Sequence, residues 1–121
     1  MPSVAVVEAF MADVERGDHV GAIERWYAPD AFMQENQAEP RRGRDRLMAD
    51  EAAALARVAS VNSRRLGPPL INGDNVAIRW RFEFTTKSGE LRVLDEIAWQ
   101  TWRGERIQEE VFFYDPKQMA G

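Results

Sequence analysis

The chain has 121 residues, of which 45% are hydrophobic and 30% charged, with a formal net charge of −4, no cysteine and one histidine. That balance describes one globular domain, expected to span residues 1–121, with enough apolar residues to build a core without staples. The composition excludes disulfides, thiol nucleophiles, zinc–thiolate sites and a histidine-rich metal centre, and a lone His19 argues against a Ser-His triad. The acidic charge argues against a nucleic-acid partner, because Arg41, Arg42, Arg44 and Arg46 are diluted by Glu39, Asp45 and Asp50. No basic n-region precedes the first apolar residues and no apolar run could cross a bilayer, so the expected setting is cytoplasmic, away from membranes.

Val4, Val7, Met11 and Val14 recur at helical spacing, with Phe10 at the edge of the stripe. This predicts a helix from Ser3 to Arg16, capped by Ser3 and ended at Gly17. Asp18 caps a second helix with Val20, Ile23, Trp26 and Tyr27 on one face, closed by Pro29-Asp30; His19, next to the cap, is expected in solvent. Ala31 to Gln37 reads as a short strand. A third helix, Asp45 to Ala59, turns Leu47, Met48, Ala52 and Leu55 inward. Glu51 lies on that stripe, as a pocket acid or, by a slight preference, a salt-bridged group at the rim.

From Val61 the period changes to two. Val61 to Leu66 is a poor strand, bent at Gly67-Pro68-Pro69 and resumed at Leu70-Ile71, and Asn72-Gly73 is a strong hairpin signal. Val76, Ile78, Trp80, Phe82 and Phe84 alternate with Ala77, Arg79, Arg81, Glu83 and Thr85, one face apolar and the other largely charged. Turns at Ser88-Gly89 and Arg103-Gly104 then delimit strands Leu91–Trp102 and Ile107–Tyr114. On the first of these, Glu96, Ala98, Gln100 and Trp102 share one face, and Asp95, Ile97, Trp99 and Thr101 the other. Each face carries an acid and a tryptophan, so alternation alone leaves the inward face open, and a cross-strand ion pair of Glu96 with Arg79 or Arg81 is an equal alternative. Helices segregated from an antiparallel sheet predict an α+β domain, with a conical cavity where a twisted sheet meets short helices.

This element order, together with F-x-x-x-V-E-R-G-D (Phe10–Asp18), W-Y-A-P-D-A (Trp26–Ala31), E-P-R-R-G-R-D (Glu39–Asp45) and the terminal D-E-I-A-W-Q-T-W-R-G-E-R-I-Q-E-E-V-F-F-Y-D-P (Asp95–Pro116), resembles the nuclear-transport-factor-2-like superfamily. The resemblance is closest to its SnoaL-like and ketosteroid-isomerase-like branch, and it covers nearly the whole chain. It implies a cystatin-like α+β roll, three N-terminal helices on a curved, mostly antiparallel sheet. It also implies proton-transfer chemistry without metal or cofactor on an apolar ring compound bearing a carbonyl.

Residue by residue, the resemblance puts Glu35 at the general base and Tyr27 at a supporting tyrosine. Glu96 falls one strand period from the second oxyanion donor, which itself aligns near Ala98, while Phe10 and Glu51 replace tyrosines. Glu110 or Asp115 falls where polyketide-cyclase relatives carry an acid. Glu35, Tyr27 and Glu96 are therefore the catalytic candidates. Phe10, Met33, Glu51, Trp80, Phe82, Trp102, Glu110 and Phe112 are expected to line the pocket. A base at Glu35 requires a dry setting that raises its pKa; the alternative is an exposed glutamate on an edge strand, and a one-residue slip would turn Asn36 inward instead. The other reading is a non-catalytic module that binds an apolar ligand or dimerises. A homodimer through the outer sheet face is expected from the fold and from outward Trp and Ile residues.

Overall fold

The computed structural model describes residues 1–119. Three helices, α1 (Val4–Glu15), α2 (His19–Trp26) and α3 (Arg44–Ala56), pack on one face of a curved mixed sheet. Its strands are β1 (Tyr27–Glu35), β2 (Arg41–Arg42), β3 (Val58–Arg65), β4 (Leu70–Asn72), β5 (Asn75–Thr86), β6 (Leu91–Arg103) and β7 (Arg106–Phe113), and a 3-10 turn, Pro116–Met119, follows. The sheet order is β2-β1-β7-β6-β5-β3, with β4 paired to β5. Among the described pairings only β1–β7 is parallel, so the expected α+β class and the mostly antiparallel sheet are both observed.

The helix boundaries follow local chemistry. Ser3 caps α1 by accepting the Val6 N–H at 3.1 Å, and Gly17 takes φ 87°, a left-handed conformation a side chain would resist. α2 is shorter than its apolar stripe suggests, because the chain is already extended at Tyr27 and β1 begins there without a loop. Tyr27 is thus the first residue of a strand, not the end of a helix. α3 stops at Ala56, short of the expected Ala59, and β3 takes over at Val58. Alanine-rich helix propensity gives way here to the pairing of Val58 with Thr86.

The core lies between helices and sheet. Val7, Phe10 and Met11 of α1, Ala22 and Ile23 of α2 and Leu47 of α3 meet Val76, Ile78 and Trp80 of β5, Ala98 and Trp102 of β6 and Ile107 of β7. Register decides which face of β6 turns inward. Glu96 pairs with Trp80 and Gln100 with Glu110, so Leu94, Glu96, Ala98, Gln100 and Trp102 all face the helices. On the outside, Asp95 takes the ion pair considered for Glu96, holding Arg79 at 2.7 Å.

Trp102 does not line the cavity as expected. It is 2% exposed, packed edge-on against Phe10 at 6.2 Å, with Nε1–H donating to Gln100 Oε1 at 2.9 Å. Trp102 keeps the inward parity of β6, since the extra residue of the β6–β7 irregularity is Gln108 on β7, but Phe10 of α1 lies against it and takes its place on the cavity wall. Trp102→Ala should therefore destabilise the fold by about 3–5 kcal/mol, the usual cost of emptying a tryptophan site. Trp102→Phe should cost about 1–3 kcal/mol, chiefly because Gln100 loses its donor. Urea unfolding midpoints of the two variants measure both.

Candidate active site

A cavity of about 510 Å³ opens between the helices and the inner sheet face. Its walls are mostly apolar: Phe10 from α1, Ile23 from α2, Leu55 from α3, and Trp80, Phe82 and Phe84 in succession along β5. Trp80 stacks on Phe82 at 5.7 Å, so the period-two apolar pattern becomes a continuous aromatic wall. Met33, Phe112 and Tyr114 close the β1–β7 side. Of the expected lining residues, Phe10, Met33, Glu51, Trp80, Phe82, Glu110 and Phe112 are all found at the cavity.

Two carboxylates are buried in it. Glu110 is 1% exposed and Glu96 6%. Glu110 is held by donors on both oxygens: the Tyr27 hydroxyl donates to Oε1, and Gln100 Nε2–H donates to Oε2 at 2.6 Å. Gln100 is itself oriented by Trp102, giving a line of hydrogen bonds from Trp102 through Gln100 and Glu110 to Tyr27. Burial pushes Glu110 up to about 7; the bonds from Gln100 and Tyr27 hold it down against that pressure. Glu96 has no hydrogen-bond or ion-pair partner among the described residues. Burial, then the charges of Glu110, Glu35 and Glu51, push it up to about 8. Burial and the adjacent Glu110 carboxylate likewise raise Tyr27, keeping its hydroxyl a donor.

Glu35 is not in the dry setting expected for it. Its side chain is 39% exposed at the cavity rim, and Arg41 Nη2–H donates to Oε2 at 3.1 Å. The same guanidinium bonds Asp50 at 3.1 Å, so the arginine-rich loop forms the mouth, where Arg41 neutralises the acid. The β1 register explains this: Glu35 pairs with Phe112 at the end of the strand, two residues beyond Met33, which pairs with Glu110. Asn36 takes φ 49° and turns the chain, its side chain accepting from the Tyr114 N–H.

Asp115 accepts from the Lys117 backbone and takes no part in the cavity. Glu51 lies at the rim, 31% exposed, 3.5 Å from His19 Nδ1. His19 is not in solvent: its side chain is 10% exposed and lines the cavity, because the first turn of α2 is pressed onto β3 and Phe82. Sequence reasoning passed over Gln100. Its one signal was a buried-parity amide between Glu96 and Trp102 on the same strand face.

The fold is that of the nuclear-transport-factor-2-like cone. The chain belongs to the SnoaL-like domain family, whose model matches residues 7–110. A proposed SnoaL-like polyketide cyclase from Mesorhizobium loti is 27% identical, with a TM-score of 0.78, over 94% of this chain and all of that one. A hypothetical protein with a ketosteroid-isomerase-like fold from Catenulispora acidiphila, solved with trimethylamine, is 20% identical with a TM-score of 0.76, over 91% of this chain and 85% of that one. TerC, co-crystallised with polyporic acid, is 16% identical with a TM-score of 0.81, over 98% and 95% of the two chains. A search of curated proteins finds no match. No described helix is long and apolar enough to cross a membrane.

The raised carboxylates tie stability to pH. Both bind protons in the fold at pH values where the unfolded chain, near its ordinary value of 4.5, has released them. Their stabilising contribution is therefore complete below about pH 4.5 and is lost as pH rises through 7 and then 8. The amount is on the order of a few kcal/mol. Glu96→Gln, neutral throughout, should flatten the decline of the urea midpoint between about pH 4.5 and 8 and leave the variant more stable than the parent above pH 8. Parallel curves for the two proteins would show that Glu96 does not titrate abnormally.

Proposed function

We propose that this chain is a cofactor-free proton-transfer enzyme of the isomerase or cyclase type, acting on an apolar ring compound with a carbonyl. The observation that carries the reading is the pair Glu96 and Glu110, two carboxylates buried in one aromatic cavity and differing in what surrounds them. At neutral pH the two acids together favour a single proton, carried mainly by Glu96, with the negative charge on Glu110 beneath the Tyr27 and Gln100 donors. Glu110 then removes a proton from the carbon next to the carbonyl. The C–H electron pair moves into an enolate whose oxygen accepts the hydrogen bond from protonated Glu96, and Glu110 returns the proton at the same or another carbon.

The base role that the family resemblance assigned to Glu35 moves to Glu110, because a carboxylate paired with Arg41 at the rim lacks the desolvation a base near neutral pH needs. Glu35 and Arg41 are left to order the mouth. Small-molecule complexes of two fold neighbours, with polyporic acid and with trimethylamine, support a ligand in the cone.

A bicyclic ketone such as 2-tetralone serves as a probe, with exchange of its α-hydrogens for deuterium followed by proton NMR. Wild-type protein should accelerate the exchange. Glu96→Gln and Glu110→Gln should each lose about 10²–10⁴-fold of that rate, the usual weight of a general acid or base, while Glu35→Gln loses far less. Tyr27→Phe removes a bond that lowers the Glu110 pKa, so the base limb of the pH–rate profile should shift to higher pH. A larger loss in Glu35→Gln than in Glu110→Gln would restore the base to the rim.

A second reading, a binding or dimerising module, draws on the outer face. Ile97, Trp99 and Phe113 are each more than 40% exposed, and Ile97 pairs with Phe113 and Trp99 with Val111 to make one apolar patch. A homodimer through this face, with or without catalysis, accounts for it. Sedimentation of wild-type protein should give a dimer and Trp99→Glu a monomer; an unchanged mass for the variant would remove the outer face from the interface.

A further inference from the structure

The cavity holds a second polar station that the proton-transfer pair does not use. His19 stands at the first turn of α2 with Nε2 bonded to Ser63 Oγ of β3 at 2.8 Å, and its ring is set edge-on to Phe82 at 6.2 Å. Ser63 is 5% exposed and lies behind the imidazole rather than on the cavity wall. The linear order Ser63, His19, Glu51 therefore resembles a nucleophilic triad in connectivity only: the hydroxyl has no access to a ligand, and its effect is to fix the ring. The other edge of the ring remains available. Nδ1 faces Glu51 Oε1 across 3.5 Å without a formed hydrogen bond, and both residues line the cavity. Such a pair offers a donor and an acceptor to one ligand oxygen.

The two stations occupy different flanks. His19 sits over β3 and β5, through Ser63 and Phe82, while Glu110 and Glu96 rise from β7 and β6. From β3 to β7 is three strand steps in the sheet order. At roughly 4.8 Å each, that is about 14 Å along the sheet, before inward side chains shorten it. Between them runs the Trp80–Phe82 stack, an apolar floor for a ring system.

We infer that His19, oriented by Ser63 and paired with Glu51, binds a second oxygen of the ligand, so that the cavity selects fused-ring compounds carrying a hydrogen-bonding oxygen at each end. The inference rests on the reading of the Glu96–Glu110 end as the site that grips the first oxygen. Its test compares 2-naphthol with 2,6-dihydroxynaphthalene, which differ only in the second hydroxyl.

Wild-type protein should bind the dihydroxy compound about tenfold more tightly, the factor one additional hydrogen bond to a polar pair supplies. Because His19 is the single histidine, its ring resonances are unambiguous. The dihydroxy compound should shift its Nδ1 signal and 2-naphthol should not. His19→Phe should bring the affinity ratio close to one, and Ser63→Ala, which frees the ring to rotate, should reduce it.

Equal binding of the two compounds by wild-type protein, or an unmoved Nδ1 signal with the dihydroxy compound, overturns this inference and leaves the proton-transfer reading intact. A preference that survives in His19→Phe overturns it equally. Failure of wild-type protein to bind either compound removes both readings.

Discussion

Glu110 is a carboxylate enclosed by protein, and the fold accommodates it by surrounding it with donors. An isolated buried carboxylate costs far more than a domain of this size can spare. Here Tyr27 and Gln100 each give one hydrogen bond, and Trp102 fixes the Gln100 amide so that its N–H rather than its oxygen faces Glu110. The members come from three strands: the start of β1, the end of β6, and β7, which lies between them in the sheet. The parallel β1–β7 pairing brings the first half of the chain to this line, so the site and the sheet topology depend on each other.

Two acids in one hollow become chemically distinct through what each lacks. Glu110 has donors and so tolerates charge; Glu96 has none among the described residues and retains its proton to higher pH. Position along neighbouring strands produces this difference. Gln100 pairs directly with Glu110, whereas the cross-strand neighbour of Glu96 is Trp80, which contributes an apolar wall. A third acid, Glu35, shows the opposite outcome: placed where β1 ends, it reaches water and an arginine and stays outside the dry part of the cavity.

Much of the architecture was readable from the chain. The helical stripe from Val4 to Val14, the alternation from Val76 to Phe84 and the turns at Asn72-Gly73, Ser88-Gly89 and Arg103-Gly104 are local signals, and each matches an element or a turn in the structure. Errors gathered where tertiary contacts override local preference. β3 cut short the alanine-rich end of α3, β1 began inside the second helix's apolar stripe, and Phe10 covered Trp102 from the cavity.

The sequence by itself determined the class of the fold, the apolar faces of its long strands and a pool of acids near the cavity, because periodicity and turn chemistry act between residues a few positions apart. Only the tertiary structure decided which acids are desolvated and which are paired. Desolvation and hydrogen bonding depend on neighbours far away in the chain: Tyr27 meets Glu110 across 83 positions, and His19 meets Ser63 across 44. Along a strand, Glu35 and Glu96 look alike. In the fold, one is partly exposed and finds Arg41, and the other finds an aromatic wall with no counter-charge among the described residues.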